Sequence, residues 1–127
     1  MKLLVIFLVF KPLHISSIAS YQGFPKNPGY ISSKAGLSGL TRALAYDFSD
    51  KDIRVNNLVL GYFPTDMTKD SFKDKKKFEV RKNKTLFKRW GRLNEICGPA
   101  IFLASDSSSY VTGSDIVVDG GWSVNGL

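Results

Sequence analysis

An apolar, β-branched segment at residues 53–60 most constrains how this chain can fold. Its composition is typical of a strand buried on both faces, which occurs mainly in parallel sheets. Two further strands are predicted: one in or shortly after the apolar run at residues 3–10, ending by Ser17, and one at residues 114–119. Helical patterns separate these strands, and that alternation gives parallel strands joined by right-handed crossovers. The predicted fold is therefore α/β, with three strands and flanking helices that form half of a doubly wound parallel sheet.

The helices are predicted from apolar spacing and charge. Residues 30–48 carry an apolar stripe at helical spacing, and Gly36 and Gly39 inside it are interpreted as sites of close packing. The stripe consists of Ile31, Ala35, Leu40, Ala43, Leu44 and Phe48. A charged helix is predicted at residues 69–82, after a loop at 61–68. A further helix is predicted at residues 94–105, with Asn94 as its N-cap and Cys97 as a buried thiol.

Tyr30 and Lys34 are four residues apart in a predicted helix, so they share one face. A free phenol has a pKa of about 10 and releases its proton poorly at neutral pH. A neighbouring ammonium favours the phenolate, which makes the pair suitable for proton transfer. Ser17 lies thirteen residues upstream and offers a hydroxyl that could hold a carbonyl or alcohol oxygen against the tyrosine. The three residues predict a site that interconverts an alcohol and a ketone.

Four segments, in order, resemble the short-chain dehydrogenase/reductase family from about Ile15 to the C-terminus. They are residues 15–20 (the strand end with the catalytic serine), 30–37 (the catalytic helix), 54–67 (the segment after the sixth strand) and 113–122 (the last strand and its glycine turn). Two positions depart from the family pattern: Ser20 stands where glycine is usual, and Leu60 stands where proline is usual. The resemblance implies a Rossmann-like sheet.

The resemblance also implies an oxidoreductase that uses NAD or NADP and transfers hydride between the nicotinamide and an alcohol or ketone. In the family pattern Tyr30 is the general acid/base, Lys34 favours its phenolate and Ser17 orients the substrate oxygen. The implied cofactor-binding residues are Tyr30, Lys34, Gly61, Phe63 and Thr65, although Thr65 could instead cap the following helix. A small-molecule substrate, a cytoplasmic location and a homo-oligomer are expected. Residues 89–92 and 118–122 resemble both sugar-acid dehydrogenases and 3-oxoacyl-carrier reductases.

The cofactor half of the family pattern has no counterpart in this sequence. Neither G-x-x-x-G-x-G nor G-x-G-x-x-G occurs, although such a turn places the pyrophosphate on a helix N-terminus. The family's Asn-Asn-Ala-Gly segment is also missing. We therefore expect one partial domain: residues 15–127 are the catalytic and substrate half, and residues 1–14 are atypical, from a frameshift, a mis-assigned start or a truncated gene. An inactive remnant, or an interaction module that pairs with full-length homologues, remains an alternative.

Positive charge is concentrated at residues 69–92, which hold eleven basic and three acidic residues, a net charge of +8, whereas the rest of the chain carries −1. Such a run could bind nucleic acid. No nucleic-acid motif accompanies it, however, so we predict no nucleic-acid partner. By resemblance, residues 62–92 form a lid over the substrate. The charge is then either a solvated surface or a means of steering an acidic substrate or the cofactor phosphates.

Single copies of cysteine and histidine limit the possible sites. One cysteine excludes an intramolecular disulfide, and one histidine excludes a multi-histidine metal site, so no metal is predicted. The apolar run at residues 3–10 is too short to cross a bilayer as a helix, which takes about 20 residues. A buried strand is the preferred interpretation of this run and a signal-peptide core is the alternative. No membrane partner is predicted.

Overall fold

The computed structural model describes the backbone of residues 5–6 and the whole of residues 11–126. Its sheet has the order β1-β2-β3-β4. Strands β2 (Leu13–Ser17), β3 (Asn56–Leu60) and β4 (Asp115–Val118) are parallel, with Ser17 opposite Leu60 and Leu60 opposite Val118. The three predicted parallel strands are thus confirmed, and all three end at the same edge.

The first parallel strand begins two residues upstream of Ile15, where the family resemblance starts. Strand β2 begins at Leu13, and Pro12 precedes it, accepting a hydrogen bond from the Asn56 N–H at its carbonyl (3.2 Å). A proline at that position costs no ladder donor, because only its carbonyl is used. Residues 11–14 therefore belong to the folded domain. Strand β1 (Val5–Ile6) pairs antiparallel with the start of β2, and the rest of the apolar run at 3–10 lies outside the described residues.

The α-helices in the described residues are α1 (Pro28–Asp47), α2 (Lys69–Lys73), α3 (Lys75–Lys84) and α4 (Asn94–Ala104). The prediction of a single helix at residues 69–82 is wrong, because the helix is interrupted at Asp74. Asp74 has an extended backbone, and its carboxylate accepts the Lys77 N–H (3.0 Å), so it caps α3. The predicted N-cap of α4 is also wrong by one residue. Leu93 occupies that position, and Glu95 supplies the acceptor for the Arg92 N–H (2.7 Å).

Helix α1 buries a different face from the predicted apolar stripe. Its buried residues are Leu37, Ser38, Thr41 and Ala45. Ala35, Leu40 and Ala43, which were assigned to the stripe, are exposed. A Cβ atom built on Gly36 or Gly39 would meet nothing within 4 Å, so these glycines are not packed against the described residues.

Polar side chains explain why that face is buried. Successive residues of a strand point to opposite faces of a sheet, and His14, Ser16 and Asn57 all point towards α1. We call the contacts between them and α1 the polar seam. His14 Nδ1 lies 2.7 Å from Thr41 Oγ1, Asn57 Nδ2 donates to Ser38 Oγ (3.1 Å), and Ser16 Oγ donates to the Lys34 carbonyl (3.1 Å). The helix therefore packs through hydrogen bonds, because its partners on the sheet are polar.

The opposite face of the sheet packs against α4 through aliphatic side chains. Leu13 and Leu58 of the sheet and Leu103 of α4 form the buried centre of this cluster. Cys97 lies on the other side of α4 and is exposed, so the prediction of a buried thiol is wrong. Residues 96, 100 and 103 face the sheet, and position 97 falls off that stripe.

Within the described residues, no helix is both long and apolar enough to span a membrane.

The polar seam gives a stability prediction for Thr41→Val. The Thr41 hydroxyl donates to the Leu37 carbonyl (2.8 Å), so it accepts from His14, and valine leaves that buried donor unpaired. We expect the free energy of unfolding to fall by about 1–3 kcal/mol. Urea denaturation of the chain measures it, with Thr41→Ser as the matched control that keeps the hydroxyl. Equal losses in the two variants would contradict the hydrogen-bond interpretation.

The same contact predicts a pH dependence. His14 is 3% exposed, and burial lowers its pKa below the ordinary value of 6.5. The unfolded chain therefore binds the proton more readily, so stability is complete above pH 6.5 and falls as the pH drops below it, by at most about 1.4 kcal/mol per pH unit. Unfolding measured at pH 7.5 and 5.5 should show this loss, and His14→Asn should reduce it. An unchanged pH dependence in His14→Asn would refute the assignment to this histidine.

Candidate functional site

A cavity of about 640 Å³ opens at the carboxyl ends of β2 and β3. This is the edge at which open α/β sheets bind their ligands. The cavity is lined by parts of β2, the turn after it, α1, the loop after β3, and α3. Its lining residues include all six residues predicted for the site: Ser17, Tyr30, Lys34, Gly61, Phe63 and Thr65.

Ser17 is the last residue of β2 and the N-cap of a short 3₁₀-helix, Ile18–Ser20. Its Oγ accepts a hydrogen bond from the Ala19 N–H (3.2 Å). An accepting hydroxyl keeps its own hydrogen, so Ser17 can donate to an oxygen in the cavity. Ser20, the residue that departs from the family pattern, donates its hydroxyl to the Ser17 carbonyl (2.7 Å) and so tightens the same turn.

Tyr30 and Lys34 lie in the first two turns of α1. Pro28 takes the first helical position, where a missing N–H costs nothing. The Lys34 ammonium is 5.7 Å from the centroid of the Tyr30 ring and donates to the Ile15 carbonyl (2.9 Å). Burial lowers the pKa of Lys34. The structure therefore places a cation beside the phenol and fixes it to the strand that ends in Ser17.

The loop after β3 contributes the other predicted residues. Gly61 is required by packing, since a Cβ there would lie 2.7 Å from the Asp119 Cα. The Phe63 ring is buried, and the Phe63 carbonyl accepts a hydrogen bond from the Thr68 hydroxyl. Thr65 lies on the wall of the cavity, and α2 takes Thr68 as its N-cap, so the alternative role of Thr65 as the helix cap is wrong.

Some cavity residues escaped prediction from the sequence. Arg81 and Tyr62 line the cavity, and the Arg81 guanidinium carbon lies 4.9 Å from the centroid of the Tyr62 ring. Arg81 belongs to the basic run, and nothing in the sequence distinguishes it from the ten other basic residues there. Tyr62 follows Gly61 directly. Its position in the loop after β3 was the only feature of the sequence from which its place in the cavity lining could have been predicted.

An aromatic cluster holds α2 and α3 over this end of the sheet. Trp90 stacks on Phe78 with centroids 5.6 Å apart, and it meets Phe72 and Tyr62 edge-on at 5.1 and 5.3 Å. Its indole N–H donates to the Phe78 carbonyl (3.1 Å). The basic segment therefore rests on a specific apolar contact, and its lysines lie outside that contact.

The lining suits the polar end of a nicotinamide nucleotide. It offers the Lys34 ammonium and the hydroxyls of Ser17, Tyr30 and Thr65, and no aspartate or glutamate among the described residues lines it. Such donors fit ribose hydroxyls and a carboxamide, and the absence of carboxylates from the wall avoids repelling phosphate. No group of three or more His, Cys, Asp or Glu side chains able to hold a metal ion occurs in the described part of the chain.

Comparison with known proteins finds matches that cover most of this chain. A family model described as enoyl-(acyl carrier protein) reductase matches residues 11–123. The 2-dehydro-3-deoxy-D-gluconate 5-dehydrogenase of Escherichia coli is 38% identical over 112 residues, which cover 88% of this chain and 44% of that protein. A 3-oxoacyl-(acyl-carrier-protein) reductase of Chlamydia trachomatis is 45% identical over 109 residues, 86% of this chain and 43% of the other.

A solved structure also resembles the chain closely. The gluconate 5-dehydrogenase of Burkholderia cenocepacia, in complex with NADP and tartrate, superposes with a TM-score of 0.86 at 33% identity. The match covers 88% of this chain and 44% of that one. The chain thus spans less than half the length of the relatives it matches.

Gly91 supports the cavity from behind and provides a test of its packing. A Cβ at this position would lie 2.3 Å from the Phe63 ring, which lines the cavity. We expect Gly91→Ala to lower the free energy of unfolding by about 1–3 kcal/mol through overpacking. Gly23→Ala is the control, because a Cβ there meets nothing within 4 Å. Chemical denaturation of both variants should separate them, and similar stabilities would show that Phe63 can move aside.

Proposed function

We propose a function on the premise that the chain belongs to the short-chain dehydrogenase/reductase family. The chain is the catalytic and substrate-binding half of an NAD(P)-dependent oxidoreductase that interconverts an alcohol and a ketone. One observation carries this proposal: Ser17 at the end of β2 and the pair Tyr30 and Lys34 in α1 line the same cavity. It is supported by relatives named as dehydrogenases and reductases.

The proposed roles follow from the hydrogen-bonding state of each side chain. Ser17 donates its hydroxyl to the substrate oxygen, because its lone pair already accepts from Ala19. Tyr30 gives its phenolic proton to that oxygen in reduction and takes it back in oxidation. Lys34 stabilises the resulting phenolate by its positive charge.

A bound nicotinamide cofactor would supply the hydride chemistry of this interconversion between alcohol and ketone. The residues that would hold this end of the cofactor are Tyr30 and Lys34 at the ribose, with Gly61, Phe63 and Thr65 at the carboxamide and phosphates. Their common location supports this assignment, since all five residues line the cavity. No residue that would select between NAD and NADP is identified in this sequence.

The substrate class follows from the relatives and stays a proposal for this chain. One relative is named for a deoxygluconate derivative and the other for 3-oxoacyl groups on a carrier protein. Both names describe a substrate that carries a keto group, free in the first case and attached to a carrier protein in the second. We propose that residues 62–92 form the lid over such a substrate, as the placement of Arg81 and Thr65 on the cavity wall suggests. A cytoplasmic location stays a prediction from the family resemblance.

Pairing with homologous subunits is a second candidate role, favoured by the exposed face of α1. Ala35, Leu40 and Ala43 are exposed there, and Gly36 and Gly39 leave the helix surface open to close approach. Apolar residues exposed on one face of a helix can be removed from water by packing against a second chain. This role is compatible with an active homo-oligomer and with an inactive remnant.

Two assays test the proposed function. The purified chain by itself should show no oxidation or reduction with either nicotinamide cofactor, because it lacks the glycine-rich turn. A chimera that joins the N-terminal half of the Escherichia coli relative to residues 11–127 should regain turnover. Tyr30→Phe should then lower kcat by about 10²-fold or more, since it removes the proton-transfer group.

Tyr46→Phe is the matched control, because Tyr46 lies on the same helix and is 83% exposed. It should leave kcat unchanged. A chimera that folds, as judged by circular dichroism, but gives no turnover would favour the remnant. Turnover that survives Tyr30→Phe would remove Tyr30 from its assigned role.

A further inference from the structure

Arg81 brings a second positive charge into the cavity that holds Ser17 and Tyr30. It projects from α3, whereas the other cation in the lining, Lys34, comes from α1. Within the part of the chain that the structure describes, no aspartate or glutamate lines the cavity. The wall therefore carries two formal positive charges that none of its own side chains balances.

Other arginines of the chain show what a structural role looks like. Arg54 donates to the carbonyls of Leu103 (3.1 Å), Ser105 (3.0 Å) and Val111 (3.1 Å) and so closes the end of α4. Arg89 forms a two-pronged pair with Glu95 at 2.8 and 2.6 Å, which lowers the pKa of Glu95 to about 2. Both guanidinium groups donate to several oxygen acceptors.

Arg81 has no such set of partners. Among the residues that the structure describes, its guanidinium donates only to the Lys77 carbonyl, at 3.3 Å, and has no carboxylate within 4 Å. Its Nε is buried and lacks a hydrogen-bond partner. Stacking on Tyr62 holds the side chain in place at the cavity wall. A half-buried cation that is positioned but not neutralised is suited to an anionic ligand.

We infer that Arg81 is a specificity-determining residue that binds the carboxylate of a hydroxy-acid or oxo-acid substrate. The inference rests on the proposed function and narrows it: an acid is favoured over a neutral 3-oxoacyl thioester. A guanidinium forms two parallel hydrogen bonds to a carboxylate and so fixes its orientation as well as its charge. The substrate would thus be held at two points, its carboxylate at Arg81 and its reacting oxygen at Ser17 and Tyr30.

The test measures binding and needs no turnover. The full chain, labelled with ¹⁵N, is titrated by NMR with sodium D-gluconate and with D-sorbitol, which replaces the carboxylate by a neutral alcohol, at constant ionic strength. Wild type should bind gluconate about tenfold more tightly than sorbitol, because a ratio of this size corresponds to the free energy of one charged hydrogen-bonded pair. Arg81→Gln should abolish that preference and leave sorbitol binding unchanged, whereas Arg81→Lys should keep part of it.

Lys76→Gln removes the same charge from an exposed position of α3 outside the cavity and is the matched control. It should retain the full preference for gluconate. An equal loss in Lys76→Gln and Arg81→Gln would reduce the effect to the general charge of the helix and overturn the inference. A wild-type chain that binds gluconate no better than sorbitol would overturn it as well.

Nicotinamide mononucleotide is the third ligand, because its phosphate offers the other anion that Arg81 could meet. Binding of the mononucleotide that depends on Arg81, with no such dependence for gluconate, would assign the residue to the cofactor and refute a substrate role. Because none of these readouts uses hydride transfer, failure of the dehydrogenase assay would leave the binding result standing. Failure of gluconate binding would likewise leave the dehydrogenase proposal intact.

Discussion

The polar seam between α1 and the sheet is the contact on which the rest of the structure depends. Thr41 and Ser38 hydrogen-bond to His14 and Asn57, and these bonds set the rotation and height of α1 above the strands. Buried polar groups tolerate little displacement, because each lost partner costs the full desolvation of the group. Tyr30 and Lys34 lie in the two turns of α1 that precede Ser38. Their distance from the end of β2, where Ser17 lies, is therefore fixed by contacts that take no part in the chemistry.

The cavity combines this rigid floor with a roof of different character. Floor residues come from strand ends and from α1, and both are tied together by hydrogen bonds. The roof is α2 and α3, which rest on the ring cluster around Trp90 and otherwise expose charge. Aromatic contacts are less directional than a polar network, so the lid proposed above is assigned to the roof and not to the floor. This division suits a site in which proton transfer needs fixed geometry and substrate entry needs movement.

Much of the fold and of the site could be predicted from the sequence. The apolar strands, the Tyr30–Lys34 spacing and the position of Ser17 are local signals that tertiary contacts do not override, and the loop after β3 follows from parallel topology. The buried face of α1 could not be predicted, because periodicity counts apolar residues and here the sheet presents His14 and Asn57. The break at Asp74 was missed because a cap and a helical aspartate look alike within a charged run. Arg81 was missed for a similar reason, because the sequence does not distinguish it from the basic residues around it.

Lys34 connects the structural and the chemical requirements of the site. Its ammonium has three donors, and one of them is committed to the Ile15 carbonyl, which joins α1 to β2. The same bond fixes the position of the ammonium beside Tyr30. A lysine without this bond would hold its charge less firmly at that place. It follows that replacing Lys34 removes a structural hydrogen bond and a positive charge together. A loss of activity in such a variant would not identify its cause, whereas Tyr30→Phe changes the phenol and leaves the bond between helix and strand intact.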